Sequence, residues 1–83
     1  MAIPSRATFD QYSLHRRLGM VMGHGTYLLQ RVDNAHVINL YYLGSFFVEV
    51  YYDPEVNHLY DCRTFVGKEE LEQYAVCIDL PAL

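Results

Sequence analysis

The sequence predicts an α+β domain, a four-stranded antiparallel meander sheet with an N-terminal helix and a short C-terminal helix. Three observations carry this. Residues 37–65, VINLYYLGSFFVEVYYDPEVNHLYDCRTF, form an apolar and aromatic run broken only by two turn signals. The first signal is Gly44-Ser45, between Leu43 and Phe46. Glycine reaches positive φ without a Cβ clash, which suits a two-residue primed hairpin turn. The second is Asp53 to Asn57. There Pro54 presets φ, Asp53 bonds forward to backbone N–H groups, and Asn57 tolerates the left-handed region. The third observation is helical spacing of apolar residues on both flanks of this run.

Taken in order, residues 1–6 are a short tail expected to fray. Thr8 offers an N-cap, with Gln11 completing a capping box. A helix is expected from Phe9 to about Met22, with Leu14, Leu18 and Val21 on one face and Arg16 and Arg17 away from it. Gly19 weakens such a helix by roughly 1 kcal/mol and is expected to allow close approach to the sheet. Gly23-His24-Gly25 ends it, through a left-handed glycine cap. Thr26 to Val32 is the first strand, and the turn at Asp33-Asn34 has two or three residues before His36 re-enters the sheet. A slip of one residue there would move every side chain to the opposite face. Phe46 to Tyr52 is the central strand, flanked by Ile38–Leu43 and Leu59–Phe65. Val66-Gly67 breaks the run. Lys68 to about Cys77 reads as a helix, with Leu71, Tyr74, Ala75 and Ile78 at helical spacing. Glu69, Glu70 and Glu72 crowd its start, where negative charge is favourable, and Pro81 prevents extension. Residues 1–83 therefore form a single domain.

The Gly44-Ser45 turn assigns the faces. One carries Val37, Asn39, Tyr41, Leu43, Phe46, Val48, Val50 and Tyr52; the other carries Ile38, Leu40, Tyr42, Phe47, Glu49 and Tyr51. Pairing Asp53 with His58 and counting on by alternation puts Leu59, Asp61, Arg63 and Phe65 on the first face. Neither face is polar, whereas an antiparallel sheet with one wet face should alternate. Two short helices cover about one face, so the expectation is a second, aromatic face that needs a protein partner.

Composition excludes several functions. Net charge is −4 with no run of Lys or Arg, which argues against nucleic acid and anionic membrane as partners. No apolar stretch approaches the ~20 residues of a membrane span. Two cysteines, Cys62 and Cys77, are too few for a disulfide scaffold and point to reduced thiols in the cytoplasm. The apolar content, 52% with eight Tyr, is too high for a disordered chain.

Candidate chemistry is sparse. His24, His36 and His58 fall at or near loops and, with Asp61 and Cys62, could supply metal ligands. They lack any close ligand spacing, so no metal or other cofactor is expected. Cys62 sits mid-strand and reads as a small core residue, not a nucleophile. Glu49, mid-strand among apolar residues, is the one carboxylate with the setting of a general acid or base. Alone, it reads better as bonded to a tyrosine hydroxyl or exposed. Asp61 and Arg63, two residues apart on one face, are expected to pair with each other or across a dimer. Tyr41, Tyr42, Tyr51, Tyr52 and Tyr60 would suit base stacking, but without a basic groove they fit a protein interface. No catalytic residue is assigned.

The run NLYYLGSFFVEVYYDPEVN, followed by YDCRTFV and a short acidic helix, resembles short, uncharacterised bacterial proteins of about this length. The likeness spans roughly Gly25 to Leu80, implies the same helix–meander–helix fold, and brings no activity or site residues with it. The expectation is a non-enzymatic protein-interaction module, homodimeric, with Tyr41, Val48, Val50, Tyr52 and Phe65 at its interface. If the faces are reversed, Leu40, Tyr42, Phe47 and Tyr51 replace them. The alternative is a ligand-binding or catalytic protein with a pocket between sheet and helices, using Glu49, Tyr51 or a histidine.

Overall fold

The computed structural model describes residues 3–74. Two N-terminal helices, α1 (Arg6–Asp10) and α2 (Leu14–His24), precede four strands, β1 (Thr26–Asp33), β2 (His36–Leu43), β3 (Phe46–Asp53) and β4 (His58–Phe65); α3 (Lys68–Glu72) follows. The strands form one antiparallel sheet in the order β1-β2-β3-β4. The α+β meander is therefore as the sequence predicts. The C-terminal helix, expected to run to about Cys77, ends at Glu72 with Gln73 as its cap; Ala75, Cys77 and Ile78 and the expected stop at Pro81 lie outside the described residues, as do residues 1–2 of the expected tail.

The single N-terminal helix is two helices. Ser5, not Thr8, caps α1 by accepting a hydrogen bond from the Thr8 N–H at 3.3 Å. Ser13 caps α2 by accepting from the Arg16 N–H at 3.2 Å. A serine hydroxyl satisfies one of the orphan donors at a helix start, so two serines define two starts. The end of α2 also differs from expectation. Gly25 is extended (φ −79°, ψ 155°), not left-handed. Its lack of a side chain matters because a Cβ would lie 2.7 Å from the Val21 carbonyl oxygen. Gly19, expected against the sheet, faces open space.

All three hairpins close as tight turns. Asn34-Ala35 joins β1 to β2 in two residues, both at positive φ (49° and 70°), pairing Asp33 with His36. Gly44 has φ 72° and Asn57 φ 52°, and the Glu55 N–H donates to Asp53 Oδ1 at 3.0 Å. The β2–β3 register is the expected one, Leu43 against Phe46 through to Val37 against Tyr52.

The β3–β4 register begins as expected, with Asp53 opposite His58 and Tyr52 opposite Leu59, but Tyr51 then faces Asp61. Tyr60 is an extra, bulged residue, and a bulge reverses the alternation beyond it. Cys62 and Thr64 therefore join the first face, and Asp61, Arg63 and Phe65 the second, opposite to the expectation.

The helices occupy both faces, not one. Phe9, Met20 and Val21 from α1 and α2 pack on Leu43, Phe46, Val48, Val50 and Cys62. On the second face Leu71 and Tyr74 pack with Leu40, Phe65, Leu29 and Phe47. Val48 and Val50 are fully buried and Phe65 nearly so. Of the five expected interface residues, these three belong to the chain's own core, and Tyr41 and Tyr52 are half-buried.

Candidate functional site

A meander has two edges, and here they are finished differently. A two-residue hairpin makes its flanking residues a hydrogen-bonded pair, so bonded pairs recur at alternate residues. Counting from Leu43–Phe46, the β3 residues that bond β4 are Phe47, Glu49 and Tyr51, opposite Phe65, Arg63 and Asp61. The backbone groups of Cys62 and Thr64 consequently point outward from β4. Side chains take up three of these four groups. Arg17 Nη1 donates to the Cys62 carbonyl. Arg6 Nη2 donates to the Thr64 carbonyl at 3.0 Å. Asp61 Oδ1 accepts from the Cys62 N–H at 2.7 Å. Thr64 Oγ1 also accepts from Arg6 Nε at 3.0 Å and donates to Asp10 Oδ1 at 2.7 Å. With the Tyr60 bulge, these contacts close the edge to further strands.

β1 carries no such finish. Counting from Asp33–His36, the residues that bond β2 include Arg31, opposite Ile38, so Gln30 and Val32 point their backbone groups outward. Among the described residues no side chain bonds the β1 backbone. The strand also exposes Tyr27 (52%), Leu28 (43%) and Val32 (69%). Leu28 is the extra residue of a bulge between Tyr27 and Leu29. Sequence reasoning placed this strand but missed its residues as a site. The available signal was position: the first strand of a meander is an edge.

The second feature is the carboxylate on β3. Glu49 is buried and fully engaged. Its Oε2 accepts from the Tyr74 hydroxyl at 2.6 Å and from Arg31 Nη2 at 3.2 Å; its Oε1 accepts from the Tyr51 hydroxyl at 3.3 Å. The Arg31 guanidinium lies 5.2 Å from the Tyr74 ring centroid. Burial, then the bond to Glu49, pushes the Tyr74 hydroxyl well up; burial, then the Glu49 charge, raises that of Tyr51. Both phenols stay protonated donors. The cluster ties β1, β3 and the segment after α3 together, which fits a structural role; among the described residues Arg31 Nε is a buried donor without a partner. The bond to a tyrosine was expected, although Tyr74 comes from outside the sheet.

The remaining candidates are scattered. Burial pushes the Cys62 thiol up to about 12, with Asp61 and Asp10 adding to the rise and Arg17 opposing it. A thiol so held is a poor nucleophile. Cys77 lies outside the described residues. His36 Nδ1 meets the Tyr60 hydroxyl at 2.9 Å, and His58 is exposed at the β3–β4 turn. His15 and His24 line a shallow depression of about 350 Å³ along α2, with Arg16, Gly19 and Met20. Every described residue lining that depression is on α2 and none is on the sheet. Among the described residues, no three His, Cys, Asp or Glu side chains gather as metal ligands. Asp61 and Arg63 pair at 3.1 Å. Among those residues too, no helix is long and apolar enough to cross a membrane.

No family model matches the chain, and no significant match was found among curated proteins or solved structures.

Proposed function

We propose that this chain is a non-enzymatic interaction module that takes up an extended strand from another polypeptide along β1, in the cytoplasm. The observation that carries the reading is the unequal finish of the two sheet edges. Arg6, Arg17 and Asp61 occupy three outward groups of β4, the carbonyls of Cys62 and Thr64 and the Cys62 N–H, while those of Gln30 and Val32 on β1 have no side-chain partner among the described residues. An unpaired edge is a template for strand addition, in which main-chain bonds give affinity and alternate side chains give specificity. Leu28 and Val32, both exposed, supply the apolar component. The free, buried Cys62 fits a reducing compartment.

Gln30→Pro tests this cleanly. Proline removes only an outward N–H there, and edge strands tolerate it on the solvent side. Peptides selected from a displayed random library on the wild-type protein should lose most of their affinity for Gln30→Pro, while circular dichroism stays native. Arg31→Pro, which removes an inward N–H, should instead destabilise the sheet. Selected peptides that bind Gln30→Pro equally well, or a failure to select any, would contradict the proposal.

A further inference from the structure

We infer that the strand taken up by β1 is amphipathic, with two apolar residues on one side and a Lys or Arg on the other; this rests on the strand-addition reading above. The outward residues Gln30 and Val32 pair with Asn39 and Val37 on β2, so their side chains belong to the first face, the one under α1 and α2. A strand added to this edge sets residues opposite Gln30 and Val32 as hydrogen-bonded pairs, and side chains directly opposite share a face. Two incoming side chains, two residues apart, therefore lie on the first face. Those opposite Arg31 and Asp33 lie on the second. Leu28, the unpaired residue of the bulge, ends this regular run and takes no part in the register.

The two faces of β1 select different side chains. On the first face β1 adds nothing to the core under α1 and α2. Val32, at one end of the run, is 69% exposed. At the other end the Tyr27 ring lies edge-on to Tyr41, with centroids 5.6 Å apart, and the Tyr41 hydroxyl donates to Met22 Sδ at 3.8 Å. Tyr27 and Met22 are each exposed by about half. Tyr27, Gln30 and Val32 and their partners Tyr41, Asn39 and Val37 are all uncharged. A charge brought onto this row loses water and gains no partner, whereas an apolar side chain covers exposed carbon. On the second face Leu29 packs with Leu40 and Phe65, and the Arg31 guanidinium is held by Glu49. Across the hairpin, His36 turns to Tyr60 and Asp53. Asp33 is less engaged: its side chain is 57% exposed and lies 3.7 Å from Arg31. The charge open to a partner at this edge is therefore negative, in a chain of net −4. A Lys or Arg directly opposite Asp33 complements it.

The test uses peptides selected on the full chain from a displayed random library, with binding followed by fluorescence anisotropy. They should carry two apolar residues two positions apart and a Lys or Arg next to one of them. A peptide of the same composition with its apolar residues made adjacent should bind about tenfold more weakly or worse, because one of them then faces the wrong side. Asp33→Asn should weaken binding several-fold at low salt and remove most of its salt dependence. Glu55→Gln, on the β3–β4 turn, should change neither. Light scattering of the wild type at about 100 µM should give the single chain mass. Selected peptides that depend on Gln30 but show no alternation, or that are indifferent to Asp33→Asn, overturn this inference and leave strand addition standing. A wild type of twice the chain mass that becomes single in Gln30→Pro makes a second copy the occupant and overturns it as well. Failure to select any peptide removes both.

Discussion

Glu49 shows why a charge is kept in a small core. Its carboxylate and the Arg31 guanidinium are 3.2 Å apart, with side-chain exposures of 10% and 13%. Removing one member of a buried pair strands the other, a loss of about 3–5 kcal/mol. Glu49→Met should therefore shift the urea midpoint by a large fraction of the whole transition. The triple variant Glu49→Met, Arg31→Met, Tyr74→Phe should recover most of it, because Arg31 and the Tyr74 hydroxyl are gone too and the remaining Tyr51 hydroxyl, on a half-buried residue, can turn to water. A triple variant no more stable than the single one would mean that the network itself supplies the stability. Glu49 was legible from the sequence as a mid-strand carboxylate of unusual setting, and a tyrosine hydroxyl was the expected neighbour. Its arginine was not legible, because Arg31 and Glu49 meet only across the β1–β2–β3 register.

At the scale of elements, local chemistry was readable and reach was not. Gly44 and Asn57 adopt the left-handed backbone that their types suggested. Replacing Gly44 with Val should cost well over ~1 kcal/mol, since a β-branched residue is strained there. The added Cβ would also meet Ile3 Cγ2 at 3.2 Å. An unchanged denaturation midpoint would contradict that account of the turn. No Gly or Pro marks the bulge at Tyr60, and missing it sent Phe65 to the wrong face. The division of the first helix was recoverable: Ser13 directly precedes Leu14, where the apolar spacing of α2 begins. The contacts of Arg6 and Arg17 with β4 were beyond reach, spanning 58 and 45 residues of sequence.

The molecule measures 40 × 32 × 20 Å, a sheet with helices on both faces. The two-faced apolarity that suggested an aromatic surface for a partner is largely answered within the chain. The α1 and α2 helices cover the first face, and Leu71 and Tyr74 cover part of the second. What the fold leaves open is an edge, and a meander cannot remove its edges without closing into a barrel. One edge is closed by arginines and a bulge; on the other, no side chain among the described residues bonds the backbone. The surface proposed for association is therefore set by backbone groups, which no count of aromatic residues along the sequence reveals.

Amide hydrogen exchange at Gln30 and Val32 tests that claim most directly. These N–H groups point away from β2, so in dilute protein they should exchange far faster than those of Leu29 and Arg31. When a selected peptide saturates the protein they should become protected, while the Thr64 N–H, outward on the closed edge, should not change. Gln30 and Val32 amides that exchange equally fast in free and peptide-saturated protein would contradict strand addition at β1.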